Sequence, residues 1–183
     1  MKRIVALFAV AGLLAAMAVT VYAETATVTV NGGTLSVTPA NVTLSNVTLD
    51  GTDKTATSAY TLNSWTAKDA TGTGNGWNVT IEATDFTGSG HTIDISQTDQ
   101  EFKIQIQDAN ITVIAGNTKP TSSVTSLTAI PTAGGTPLKI VSAAVNTGMG
   151  NYNTPPAFEL EVPAETYAAS YTSTITIAIN SAP

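Results

Sequence analysis

The feature that most constrains this chain is an alternation of apolar and polar side chains with a period of two. It recurs in short runs: Ala26, Val28, Val30; Leu35, Val37; Val42, Leu44; Ile93, Ile95; Phe102, Ile104, Ile106; Phe158, Leu160, Val162; and Ile175, Ile177, Ile179. Successive side chains of an extended backbone point to opposite faces, so each run turns one apolar face toward a core. Threonine, serine, valine and isoleucine dominate, and β-branched side chains fit a pleated, half-buried surface better than a helix. Turn signals separate the runs at Asn31-Gly-Gly33, Asp50-Gly51, Gly72 to Gly76, Gly88-Ser-Gly90, Gly116-Asn117, Ala133-Gly-Gly135, Gly148-Met-Gly150 and Pro155-Pro156. This spacing predicts an all-β chain, an antiparallel β-sandwich of many short strands, with a barrel as the alternative. Residues 138–145 are expected to form a strand, a single helical turn being the alternative. The Thr/Ser/Pro-rich residues 117–125 read as a long surface loop. Val42-Thr-Leu44 and Val47-Thr-Leu49 make a small repeat whose period is too short for a solenoid, so it is assigned to strand composition.

Lys2-Arg3, the apolar run of residues 4–19 and Val21-Tyr22-Ala23 fit the three parts of a secretory signal peptide. Cleavage is expected after Ala23. An uncleaved membrane anchor is the alternative, because spanning a bilayer takes about 20 apolar residues, but Gly12, Ala15, Ala16 and Ala18 favour processing. Residues 24–183 then make a single domain, with residues 24–50 a candidate extra N-terminal strand region. The full chain has a formal net charge of −6; removing Lys2 and Arg3 leaves five lysines against 13 acidic residues, a net −8. Nucleic acid and anionic membrane surfaces are poor partners for such a surface. The chain has no cysteine, hence neither disulfides nor a lipid-accepting thiol, and it has no LPxTG-type sorting motif. Any attachment to a cell surface is expected to be non-covalent, without membrane insertion once the signal is removed.

A rare residue, a turn signal and a strand period meet in Gly72-Thr-Gly-Asn-Gly-Trp-Asn-Val-Thr80. The wider segment, Asp69-Ala-Thr-Gly-Thr-Gly-Asn-Gly-Trp-Asn-Val79, is followed by Asp85-Phe86, by Ala144-Val-Asn-Thr-Gly-Met-Gly150, and by Val162-Pro163 ahead of a closing strand that runs through Ile175 to Ile179. From about Trp65 to Pro183 this arrangement resembles the WxL domain of bacterial surface proteins. Two Trp-x-Leu-type motifs define that family. Here the proximal one is Trp77-Asn78-Val79, while Ile177-Ala178-Ile179 stands at the distal position without its tryptophan. The resemblance implies non-covalent attachment to the peptidoglycan of the cell wall, often beside a second surface protein that interacts with the domain.

Trp77 is the first candidate for ligand binding, together with its motif neighbours Asn78 and Val79, because sugar rings stack on the flat face of an indole. Its alternation with Val79 and Ile81 also places it on the apolar face of a strand, and the core is the favoured reading. Trp65, between Asn63 and Ala67, is expected to be half exposed and is a second candidate. Tyr152, Tyr167 and Tyr171 lie near loops or the last strand, where they either add to a binding surface or, as is commoner, pin a corner of the sandwich through their hydroxyls. Tyr171 is kept as a candidate ligand residue.

Catalysis lacks its parts. His91 is the only histidine, and no serine sits in a Gly-x-Ser-x-Gly elbow. Glu82 with Asp85, or Glu159 with Glu161, offers the carboxylates of a glycosidase, but the second pair shares the solvated face of a strand whose other face is Phe158, Leu160 and Val162. Asp50-Gly-Thr-Asp53 is a turn before it is a calcium loop. No catalytic residue, metal or cofactor is expected. Asn41, Asn46, Asn78 and Asn110 head Asn-x-Ser/Thr sequons, which arise readily in a chain rich in Asn and Thr. The expectation is a secreted, non-catalytic, extracellular cell-surface or cell-wall module whose partner is wall glycan or a wall-associated protein. The alternatives are a filament or surface-layer subunit that self-associates by strand addition through Glu24-Thr-Ala-Thr-Val-Thr-Val30, and a soluble carbohydrate-binding module.

Overall fold

The computed structural model describes residues 24–58 and 65–181. The expected signal peptide, residues 1–23, lies outside them. Fourteen strands are present among the described residues: β1 Leu35–Thr38, β2 Lys54–Ser58, β3 Thr66–Asp69, β4 Trp77–Ala83, β5 Phe86–Gly88, β6 His91–Ile93, β7 Phe102–Gln105, β8 Thr112–Gly116, β9 Thr121–Ser122, β10 Thr128–Ala129, β11 Leu138–Ala143, β12 Gly150–Asn153, β13 Ala157–Val162 and β14 Ile175–Ser181. All ladders between these strands are antiparallel, and none of the described helices is long and apolar enough to cross a membrane.

The sheets form two layers. One contains the orders β1-β3-β12-β8 and β10-β7-β13-β2. The pairs β2/β3, β12/β13 and β7/β8 keep the same neighbours in both halves, so this layer is in effect one sheet bent across its middle. Thr154-Pro155-Pro156 makes the bend between β12 and β13, because proline has no N–H to give to a ladder. The bend is tied by the Thr154 N–H donating to the Trp65 carbonyl at 2.7 Å. The facing layer has the order β14-β4-β11-β9, and β5-β6 forms a separate two-stranded sheet.

The expected alternation sets the core. β4 is buried at Trp77, Val79, Ile81 and Ala83 and half-exposed between them, and β13 buries Phe158, Leu160 and Val162. Residues 138–143 are a strand, as expected, with a bulge between Lys139 and Val141 that lets the adjacent Ile140 and Val141 both be buried. Trp65, Phe158, Phe102 and Phe86 form a chain of rings, with successive centroids 5.7, 5.4 and 5.0 Å apart. Fully burying each such side chain contributes roughly 2–3 kcal/mol.

Four stretches depart from expectation. Trp65 is not half exposed: only 1% of it is accessible, because its indole fills the bend and its Nε1–H donates to the Ala40 carbonyl at 3.1 Å. Residues 117–125 are not wholly loop, since Thr121 and Ser122 pair with β11. Residues 42–49 form no strand. Their backbone meets β2 where Ser45 N–H donates to the Thr57 carbonyl at 2.8 Å and the Thr57 N–H donates to Ser45 Oγ at 3.0 Å. The five-residue repeat explains this. An odd period reverses the facing of every second copy, so Val42 and Leu44 cannot share a flat strand face with Val47 and Leu49. All four turn inward and are half-buried against the core, which pulls the backbone off a regular ladder. Residues 24–30 belong to no strand and are exposed; they fall in a separate compact unit from residues 31–183.

Candidate functional site

The sequence singles out two segments, residues 69–79 and 144–150, which lie far apart in the chain. They meet in space. Asp69, at the end of β3, is buried and its Oδ1 accepts from the Thr71 N–H at 2.9 Å and the Thr71 hydroxyl at 2.6 Å. This Asx turn starts a loop whose glycines 72, 74 and 76 all have positive φ. The loop reaches the other segment through the Asn146 N–H, which donates to the Gly74 carbonyl at 2.8 Å. Trp77 then enters β4, and its Nε1–H donates to the Gly148 carbonyl at 2.8 Å, fully buried and across 71 residues of chain.

Gly148 is required by both space and conformation. Its φ is +67, and a Cβ there would lie 2.2 Å from the Ala143 Cβ and 2.8 Å from Trp77 Nε1. A third loop locks the other two. The Asn117 side chain donates to the Asn146 carbonyl at 3.1 Å and accepts from the Met149 N–H at 3.0 Å, while the Gly148 N–H donates to the Thr118 carbonyl at 2.9 Å. Tyr152 packs its ring against Trp77, with centroids 6.4 Å apart, and donates its hydroxyl to the Met149 carbonyl at 2.9 Å. Burial pushes the Tyr152 phenol pKa up. Asn117 was visible in the sequence only as half of a Gly-Asn turn signal. Its bracing role required knowing which loops are neighbours.

The two motif positions lie on adjacent strands. In the β14–β4 ladder Ile179 faces Val79, Ala178 faces Thr80, and Ile177 faces Ile81. Trp77 and Val79 are buried, at 0% and 3% exposure, so the indole of the proximal motif is a core residue. Ile177 and Ile179 lie half-buried on the same inner side, while Ala178 is exposed. Asn78 is half-exposed on the outer face, between Ser142 of β11 and Asn180 of β14. The motif thus turns its middle residues, Asn78 and Ala178, to the outer face, while its large apolar residues pack on the inner side.

The remaining candidates scatter. Trp65 lies in the bend. Tyr171 is half-buried at the far end of the sandwich, where its hydroxyl donates to the Tyr167 carbonyl at 3.0 Å; Tyr152 and Tyr171 therefore both act as pins, whereas Tyr167 is exposed. Five of the carboxylates considered for catalysis or metal, Asp50, Asp53, Glu82, Asp85 and Glu161, have protein partners. Asp50 accepts from Lys54 Nζ at 2.7 Å and from Thr52, which hold its pKa down at about 2. Asp53 accepts from the Ala164 N–H, Glu82 from Gly134 and Asp85 from Ile95. Glu161 and Glu101 flank Lys103 and raise its pKa above the ordinary lysine value.

A family model described as "WxL domain surface cell wall-binding" matches residues 24–183. The match starts well before Trp65, so β1 and the segment after it are part of the domain. No curated protein and no solved structure matches the chain. With the glycine-rich turn, the buried tryptophan and the adjacent motif strands in place, the chain belongs to the WxL domain family of surface, cell-wall-binding proteins.

Proposed function

We propose that the chain is a secreted, non-catalytic module that attaches to peptidoglycan without a covalent bond. The observation that carries this reading is the family match over residues 24–183, joined to the Trp77–Gly148 hydrogen bond that unites the two motif segments. A non-catalytic role is supported by the engagement of Asp50, Asp85 and Glu161 in turns, backbone bonds and ion pairs. At the distal position Ile177 stands half-buried on the inner side of β14, opposite Ile81 in the ladder, where an aliphatic side chain serves packing.

The test is co-sedimentation of the purified protein with peptidoglycan sacculi stripped of attached anionic polymers. Saturable binding is expected. Folded protein that stays in the supernatant would overturn the proposal.

A second reading, a subunit that assembles by strand addition, has one observation in its favour. Val28 and Val30 are 83% and 87% exposed in an alternating segment that belongs to no strand, and such segments pair with open sheet edges. Negative-stain images at high protein concentration decide it: filaments support assembly, and dispersed monomers exclude it.

A further inference from the structure

At the Ala83 end of β4, roughly 20 Å from Trp77 at the rise of extended chain, the two layers do not close. A groove of about 800 Å³ opens there, within the roughly 300–1,000 Å³ common for small-ligand sites. Its walls are residues 42–49 on one side and residues 166–173 on the other, with Ala56, Phe102 and Leu160 of the bent sheet between them. None of the residues that line it is charged, although the chain as a whole carries a formal −6. Threonine and serine lie among the apolar side chains of both walls, and Asn46 adds an amide to the first.

Tyr167 stands where this groove meets a smaller hollow of about 190 Å³, whose lining includes His91, Gln100 and Glu165. Its ring lies flat on the imidazole of His91, with centroids 3.7 Å apart and planes 8° from parallel. Even so, 64% of Tyr167 is exposed. An aromatic ring has two faces and the imidazole covers one, so the other is presented to solvent. Tyr171 holds the Tyr167 backbone through its hydroxyl, and His91 holds one face of the ring.

We infer that this groove binds a neutral glycan strand bearing N-acetyl groups, with Tyr167 as its stacking platform. The inference rests on the wall-binding reading above and names the surface that performs it. The C–H face of a pyranose is apolar and slightly positive, which suits the negative face of a phenol ring. Its hydroxyls match the threonine, serine and asparagine side chains of the walls, and acetamide methyls match the apolar floor. The lack of charge selects among wall components. An anionic polymer or a free carboxylate would leave water for a groove with no ammonium or guanidinium to receive it, which is costly.

The experiment measures binding of the purified full chain to two probes: stripped sacculi, by co-sedimentation, and a soluble N-acetylglucosamine hexamer, by calorimetry. Tyr167→Ala is expected to weaken both by about ten-fold, the equivalent of about 1.4 kcal/mol, with its melting temperature unchanged because the ring is exposed. Tyr167→Phe, which keeps the ring, should bind within two-fold of wild type, as should Asn180→Ala on the outer face of β14. An anionic teichoic polymer should not compete. If wild type binds sacculi and Tyr167→Ala binds equally well, the groove assignment is wrong while wall attachment stands. If wild type fails on sacculi yet binds the hexamer through Tyr167, the groove assignment holds and the wall reading falls. Failure on both probes overturns both.

Discussion

The two ends of β4 solve opposite problems. At the Trp77 end three loops interlock, a tryptophan is sealed at 0% exposure, and its N–H is satisfied by a carbonyl 71 residues away. At the Ala83 end residues 42–49 run beside β2 without forming a regular strand, a groove of about 800 Å³ stays open, and a tyrosine is left 64% exposed. The signature of the family marks the first end, and the surface best built to hold a ligand is at the second. A residue can identify a family by what it does for the architecture, while the binding surface is assembled from side chains that form no local pattern.

This contrast can be broken most forcefully at Trp77. Trp77→Ala should cost about 3–5 kcal/mol, the usual range for emptying a large aromatic from a core, and leave the Gly148 carbonyl without its partner. Denaturant titration checks it: a midpoint close to wild type would show that the closed end is not the stabilising one. Gly148→Ala comes next, at about 2–4 kcal/mol, combining overpacking against Ala143 with a left-handed backbone that disfavours any side chain. Both variants should lose wall binding only to the extent that they unfold, so binding measured on the folded fraction should match wild type.

Trp65→Phe keeps a ring in the bend but removes the donor to Ala40, and about 1–2 kcal/mol of lost stability is expected by calorimetry. Tyr167→Ala should change stability by no more than about 0.5 kcal/mol, as exposed substitutions do. The opposite order, with Tyr167 the more costly, would mean that the groove is closed in solution.

The smallest effect is in acid. Lys54 and Thr52 hold the Asp50 pKa at about 2, and hydrogen bonds from Ser96 and Gln97 lower that of Asp94. A carboxylate whose folded pKa is depressed contributes stability that is fully present above its unfolded value of about 3.9, and that contribution is lost as pH falls through the folded value. Stability should therefore be insensitive to these groups above about pH 5 and decline between about pH 4 and 2. Asp50→Asn should flatten part of that slope. A decline of unchanged steepness in Asp50→Asn would remove Asp50 as a contributor.

Much of this was legible in the sequence, for reasons particular residues make plain. The runs at 102–106, 158–162 and 175–179 alternate strictly, and they became strands with the expected faces inward. Trp77 read as core because it shares parity with Val79 and Ile81. Trp65 was misjudged because its immediate neighbours say nothing of the bend it fills, and Val42 and Leu44 because their repeat slips phase two residues later. Tyr167 could be noticed as an aromatic residue near a loop, but its stacking partner lies 76 positions away.

The sequence by itself determined what is local: the extended backbone, the inward face of each run, the turns that need glycine, and the family those turns belong to. Side-chain parity and left-handed φ are fixed within a few residues, so they can be read from the chain. Only the tertiary structure decided which apolar faces would be covered. Coverage depends on whether a neighbouring strand arrives in phase, as β12 does over Trp77 and as residues 42–49 do not beside β2. That difference in arrival seals one end of the sandwich and leaves the other open to a ligand.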